Sequence, residues 1–413
     1  MYVQLFFHIN LSIILIPPTG INKHEVQFCV ENIDSSLFVK LNGRYKESNM
    51  SNHILFEITD GRFISENKYN AASKPRNDTI TTAIRLGFKP FIFNSRILGR
   101  SKIRYFRTIL FWLNQILLLV SICFRCRNIK DSVIFIQYPF IIFNYHFAKF
   151  ILLIFKSRRC KFVVLLHDIE TIRQKRIKPI KMDRIILDLA DVIIVHTHQM
   201  AEKISCIDKC PNSKLIKLAF FDYLSSIEMI GNDSAANINL IYAGNLDKSL
   251  FLRRLQDVGF NNEFKMFLYG AYSDNIPNTE GVEYKGKFAA DRFDSIEGNW
   301  GLVWDGESVD SCTGQYGEYL KINSPFKFSL YLAANRPVVV WSKSALASYV
   351  KEYKLGICVD SLKDIEKTIK SLTIDELVNI QSSVYEYSKR IKSGKMLETA
   401  IFSSLKLLHE KIN

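Results

Sequence analysis

Short, predominantly apolar runs recur along the chain, and a stretch of helix length follows almost every one. The first series runs His53–Ile58, Phe88–Phe93, Val133–Gln137, Phe162–Leu166 and Val192–Val195. The second runs Leu240–Ala243, Phe264–Leu268, Leu302–Trp304, Val338–Trp341 and Gly356–Val359. A strand with one wet face alternates apolar and polar residues, whereas a strand covered by helices on both faces reads as a continuous apolar run. The pattern therefore predicts an α/β chain with two doubly wound, mostly parallel sheets and a cleft between them. Residues 225–238 are small and polar and form the predicted linker. The expected layout is a 1–49 extension of no assigned role, a first domain over 50–224 and a second over 239–392. A terminal helix follows over 393–413. A length of 413 residues fits two domains.

The charge is regional. The chain carries 55 Lys and Arg against 41 Asp and Glu. Fifteen of the basic residues lie between Arg85 and Lys161, where Asp131 is the single acid. Such a field selects an anionic partner. Ile109–Leu113 and Ile116–Val120 follow directly on Arg96, Arg100, Lys102, Arg104 and Arg107, and basic residues beside a Trp/Phe/Leu-rich helix point to an anionic membrane surface, with no nucleic acid. The apolar run Ile109–Phe124, broken by Asn114, Gln115 and Ser121, is shorter than the ~20 residues needed to span a bilayer. It is expected to lie buried or at the interface. Met1–Ile16 lacks the basic start and small-residue cleavage site of a secretory signal. The eight cysteines are scattered, and the lone Cys123-x-x-Cys126 has no second pair, so free thiols in a reducing cytoplasm are expected.

The densest chemistry lies in Gly301–Trp341. A strand ending at Trp304-Asp305 leads into a loop with Glu307, Asp310, Glu318, Lys321 and Lys327, then a helix from Phe328 and a second strand at Val338. Ligands bind at the carboxyl ends of such strands. In the first half, His167, Asp168 and Glu170 follow the Phe162 strand, where a carboxylate or imidazole could take a proton. His196 and His198 have no ligand partners at metal spacing and read as structural, so no metal site is expected. Neither G-x-G-x-x-G nor a P-loop pattern is present, which disfavours a nicotinamide dehydrogenase and a P-loop NTPase.

Three segments resemble the bacterial β-1,6-galactofuranosyltransferases and, more distantly, the streptococcal adhesin glucosyltransferases. These are Leu166-His167-Asp168-Ile169-Glu170, Tyr242-Ala243-Gly244-Asn245-Leu246, and Gly301–Trp341. The resemblance runs from about His53 to the C-terminus. It implies a GT-B fold of two Rossmann-like domains, UDP held mainly by the second, no metal cofactor, and a terminal helix that returns to the first domain. Position by position it implies Lys248 and Lys327 at the diphosphate, Tyr269 stacked on uracil, and Pro325, Phe326 and Ser329 around a phosphate-binding helix N-terminus. Ala71 would lie in a loop facing UDP. Glu318 is either a sugar contact or a loop cap. Asp168 is the first candidate for the base of an inverting transfer, ahead of Glu170 and His167. The expected activity is transfer of a hexose, galactofuranose from UDP-galactofuranose first, to a lipid-linked oligosaccharide in surface-polysaccharide synthesis. The enzyme would sit in the cytoplasm, peripheral on the inner face of the cell membrane, and a homo-oligomer is compatible with this. The alternatives are a UDP-glucose-dependent enzyme and a non-catalytic sugar-nucleotide-binding assembly subunit.

Overall fold

The structure, a computed structural model, describes residues 53–59, 73–99, 101–140, 143–174, 180–208, 211, 214–229, 237–271 and 276–410. The 1–49 extension, Ala71 and part of the linker lie outside these.

The first domain alternates β1 (His53–Thr59), α1 (Lys74–Arg85), β2 (Lys89–Asn94), α2 (Arg104–Arg125), β3 (Val133–Tyr138), α3 (Tyr145–Ser157) and β4 (Lys161–Leu166). It continues through α4 (Glu170–Arg173), α5 (Lys181–Leu189), β5 (Val192–Val195), α6 (His198–Asp208) and β6 (Leu215–Lys217). The six strands form one sheet in the order β2-β1-β3-β4-β5-β6, parallel throughout. Pro75 opens α1 in the first turn, where its missing N–H costs nothing. Gly87, at φ +87°, lets the chain leave it.

The second domain carries β7 (Ile238–Asn245), β8 (Phe264–Ala271), β9 (Val282–Gly286), β10 (Trp300–Val303), β11 (Val338–Trp341) and β12 (Gly356–Val359). Its helices are α7 (Gly314–Tyr319), α8 (Phe326–Ala333), α9 (Leu346–Tyr353), α10 (Ile365–Lys370), α11 (Ile374–Ser393) and α12 (Lys395–Glu410). The sheet order is β12-β11-β10-β7-β8-β9, again parallel. β6 and β9 are short, and their sequences carry no apolar run long enough to mark them.

Each sheet has its own apolar core. Helices α12 and α7 both cross between them. α12 packs on α1, β5 and β6 of the first domain. Its first turn is capped by Asp222, whose carboxylate accepts from Met396 N–H (3.1 Å) and Leu397 N–H (2.8 Å). Burial pushes the Asp222 carboxyl up to about 7, against the pull of those two donors. The second crossing is α7 with the turn after it: Tyr319 joins the core of the first domain and Ile322 packs against it.

α2 departs from expectation in length. It begins at Arg104, not Ile109, and its 22 residues make it long and apolar enough to cross a membrane. It is nonetheless a face of the domain. Its buried positions are Asn114, Gln115, Leu118 and Ile122. Asn114 holds both backbone groups of Leu98 (2.6 and 3.2 Å), and Gln115 accepts from Asn144 N–H (2.8 Å).

Candidate active site

In an open parallel sheet, the gap where strand order reverses is where a ligand fits. In the second domain that gap lies between β7 and β10. Lys327, in the first turn of α8, fills its upper end. Its ammonium donates to the Tyr242 hydroxyl (3.1 Å), the Trp304 carbonyl (3.1 Å) and Asp305 Oδ2 (3.3 Å). Tyr242 Oη also meets Ser249 Oγ at 2.5 Å and donates to Asp305 (3.3 Å). Gly244 and Asn245, at the end of β7, are exposed beside it, and a Cβ on Gly244 would stand 3.9 Å from the ammonium. Pro325 caps α8 without a side-chain hydrogen bond, so the positive helix end adds to the lysine. Lys248 follows the same turn, exposed, and has no ion pair among the described residues.

Two proposed nucleotide contacts have other work. Tyr269 does not follow its strand but lies within β8, 3% exposed, and its hydroxyl accepts from Glu297 N–H (2.8 Å). β8 runs three residues further than expected, to Ala271, and carries the ring into the core, so Tyr269 has no free face for a base. Ser329 is fully buried and donates to the Phe221 carbonyl (2.7 Å), a tie between α8 and the segment leaving β6. Phe326 stacks on Tyr223 (4.9 Å between centroids) and fixes α8 in place. Glu318 accepts from Lys321 (2.7 Å) on the exposed side of α7.

In the first domain the reversal lies between β1 and β3, and a buried polar network closes it. Glu57 pairs with Arg76 (2.9 Å) and accepts from Gln137 Nε2 (2.6 Å). With its amide nitrogen so committed, Gln137 offers Oε1 to His167 Nε2 at 2.7 Å. Nε2 of His167 therefore carries the proton and Nδ1 is left basic. The imidazole lies flat on Phe221 (5.0 Å, 13°). Burial, with Arg76 and His196 nearby, holds its pKa well below the ordinary 6.5. Burial pushes Glu57 up to about 7, against the pull of Arg76.

Asp168 serves the domain interface. It accepts from the Tyr319 hydroxyl (3.0 Å) and faces Arg173 at 3.5 Å, while burial raises its pKa against that arginine. Glu170 is held by Arg173 and by Gln174 Nε2 (2.7 Å). Further ties cross here: Gln315 Nε2 to the Arg173 carbonyl (2.7 Å), Thr197 Oγ1 to the Ile322 carbonyl, and Ser324 N–H to His196 Nδ1 (3.5 Å). The part of Gly301–Trp341 from Gln315 to Ser324 is thus a latch on the first domain, and Trp304-Asp305 and Lys327, on either side of it, belong to the donor-side gap. Phe221 joins the two halves, touching His167 on one side and α8 on the other.

No sequence motif marks Glu57, Arg76, Gln137 or Phe221, and Tyr242 lies in a segment that carries the resemblance without a role being implied for it. Glu57 and Gln137 did leave a signal, as single polar residues inside runs otherwise wholly apolar.

The N-terminal domain of the glucosyltransferase 3-like family matches residues 58–206, and its C-terminal domain matches residues 240–404. The chain is 33% identical over 264 residues to the β-1,6-galactofuranosyltransferase WbbI of Escherichia coli (strain K12), covering 62% of this chain and 75% of that protein. It is 24% identical over 244 residues to glucosyltransferase 3 of Streptococcus gordonii, covering 58% and 69%. Among solved structures, the apo lipopolysaccharide outer core galactosyltransferase WaaB superposes with a TM-score of 0.53 at 11% identity, over 85% of this chain and 99% of that one. That likeness fixes the fold alone, two Rossmann-like domains in the GT-B arrangement. The chain belongs to the glucosyltransferase 3-like family of GT-B glycosyltransferases, together with the β-1,6-galactofuranosyltransferase it resembles over three quarters of that enzyme's length.

Proposed function

We propose that this enzyme transfers galactofuranose from UDP-galactofuranose to a hydroxyl of a lipid-linked oligosaccharide in surface-polysaccharide synthesis, at the cytoplasmic face of the membrane and without a metal cofactor. The carrying observation is Lys327 at the β7/β10 gap, with the α8 N-terminus beside it and Lys248 on the adjoining turn. Cations placed where a diphosphate leaves stabilise the charge that develops on it. Across the gap, His167 is the base we favour over Asp168 and Glu170. Its tautomer is fixed through Gln137, its imidazole is neutral, and the two carboxylates are engaged by Tyr319, Arg173 and Gln174. The hexose itself rests on the 33% identical relative. Incubation with UDP-galactofuranose, UDP-galactose and UDP-glucose, following UDP release with a lipid-linked acceptor, is expected to give turnover with the first. Turnover with UDP-glucose alone would replace the donor, and turnover with none would leave a sugar-nucleotide-binding subunit.

The membrane half of the reading rests on α2. Trp112, Ile116, Val120 and Phe124 repeat every four residues on the face opposite the buried Asn114, Leu118 and Ile122, and each is 46–62% exposed. Every residue from Lys102 to Ile109 is exposed as well. A helix whose polar residues face in and whose Trp, Ile and Phe face out is built for a non-aqueous neighbour. The surrounding arginines match an anionic leaflet. Replacing Phe106 and Trp112 together with Ser is expected to lower the membrane-bound fraction at least about tenfold, since each buried aromatic is worth roughly 1.5–3 kcal/mol. Flotation on anionic vesicles reads this. Unchanged flotation discards the contact, and a shift of the parent from dimer to monomer without any change in flotation would assign the face to a second copy of the chain.

A further inference from the structure

At the N-terminal end of α2 a cavity of about 330 Å³ opens between that helix and the loop after β2. Its lining includes Ser95, Arg96, Arg107, Phe111 and Asn114. Asn114 builds it, by pinning Leu98 to the helix through both backbone groups. Ser95 is 1% exposed, and its hydroxyl has no hydrogen-bond partner among the described residues. A buried hydroxyl left unpaired costs about 1–3 kcal/mol, and in a cavity that also carries two guanidinium groups its natural partner is an anionic oxygen. The stretch of chain that builds the cavity carries one acid between Asp78 and Asp168. That acid, Asp131, pairs with Arg159 (2.5 Å) just before β3, at the opposite end of the parallel sheet.

The cavity's place says what kind of anion fits. It lies at the carboxyl end of β2, the end at which His167 follows β4. From β2 to β4 the sheet order gives three interstrand steps of about 4.8 Å, roughly 14 Å in all. Phe111 gives one wall apolar character, and the exposed apolar stripe of α2 runs on from it. We propose that this cavity holds the phosphate of a lipid, with Arg96, Arg107 and the Ser95 hydroxyl on the phosphate oxygens and the apolar chain leaving along Phe111 and α2. It would thus fix the acceptor end of the enzyme at the bilayer, with an oligosaccharide's length between lipid phosphate and reacting hydroxyl. The inference rests on the membrane-side transferase reading and specifies its acceptor side.

The test titrates the full chain, in phosphate-free buffer, with farnesyl phosphate, with dihexanoylphosphatidylglycerol and with inorganic phosphate. Farnesyl phosphate is expected to bind at least about tenfold more tightly than inorganic phosphate, a tenfold change being 1.4 kcal/mol. Arg107→Gln is expected to weaken it by about tenfold or more, within the 1.5–3 kcal/mol of a charged hydrogen bond. Ser95→Ala should weaken it about threefold to tenfold without lowering Tm, because it removes an unsatisfied hydroxyl. Competition by the phosphatidylglycerol assigns the phosphate to the bilayer lipid, and its failure to compete assigns it to the acceptor's carrier. Equal affinity for inorganic phosphate, or lipid binding indifferent to both substitutions, overturns the proposal. UDP affinity and donor turnover are measured on the same variants. Lost lipid-phosphate binding with intact turnover is the signature of this site, whereas intact lipid-phosphate binding without turnover would strike the transferase reading and leave the site standing.

Discussion

Replacing His167 with alanine is expected to lower kcat for transfer by about 10³-fold, the middle of the range for a positioned general base, with UDP affinity unchanged within about twofold. The acceptor hydroxyl must lose its proton as it attacks the anomeric carbon, and a base is useful only if it is already unprotonated. His167 meets that condition. Burial and the Arg76 guanidinium keep its pKa well below 6.5, so the imidazole is neutral at neutral pH and is lost as a base only as pH falls through its lowered pKa. The acid limb of kcat/KM is therefore expected below pH 6.5, and a limb at or above that value would remove His167 from the role. Asp168→Asn is the companion measurement. An asparagine oxygen still accepts from Tyr319, so the interface is kept, and activity should stay within about tenfold, below the 10²–10⁴ of a lost base. A deeper loss in Asp168→Asn than in His167→Ala would return the role to the carboxylate. Gln137→Leu separates positioning from proton transfer. It removes the oxygen that fixes the imidazole tautomer, and is expected to lower kcat about tenfold with KM unchanged.

The fold was legible because its signal is long and redundant. Runs such as Val133–Ile136 and Val192–Val195 are buried on both faces, as a parallel sheet covered by helices requires. The site was legible only in part. Lys327 could be placed because it opens a helix after a strand–loop unit, a local arrangement. For Tyr269 the difference is three residues of strand length, which is within the ordinary blur of element ends but enough to move an aromatic ring from cleft to core. The Glu57–Gln137–His167 network draws on three strands far apart in sequence, and only strand order brings them together. The latch role of Tyr319 was likewise invisible, since a Tyr in a polar loop reads as a ligand contact until its partner, Asp168 of the other domain, is known. The inward-facing Asn114 and Gln115 were read as interruptions of an apolar helix. They are its anchor, and the apolar residues around them are its outer surface.

Lys327→Met is expected to raise the Kd for UDP by about 10²-fold while leaving uridine affinity within about twofold, because a charged hydrogen bond to a buried group is worth 1.5–3 kcal/mol and the uridine moiety lacks the diphosphate. The contrast matters because all three ammonium donors are already engaged by Tyr242, Trp304 and Asp305. One reading makes Lys327 a structural cation that holds Asp305 and the end of β10. The other makes Asp305 a placeholder, its 3.3 Å contact the longest of the three, from which a phosphate oxygen takes over. Removing the lysine strands Asp305, which is 27% exposed at its side chain, and some loss of Tm follows on either reading. The double variant Asp305→Asn/Lys327→Met removes the stranded charge as well. It should recover most of the lost Tm, yet bind UDP no better than Lys327→Met alone. Recovery of UDP affinity together with Tm would show that the lysine supports the strand end and that the diphosphate is held elsewhere. Persisting loss of UDP affinity in a restored fold places the cation on the diphosphate, beside the α8 N-terminus, where the leaving group's charge must be met.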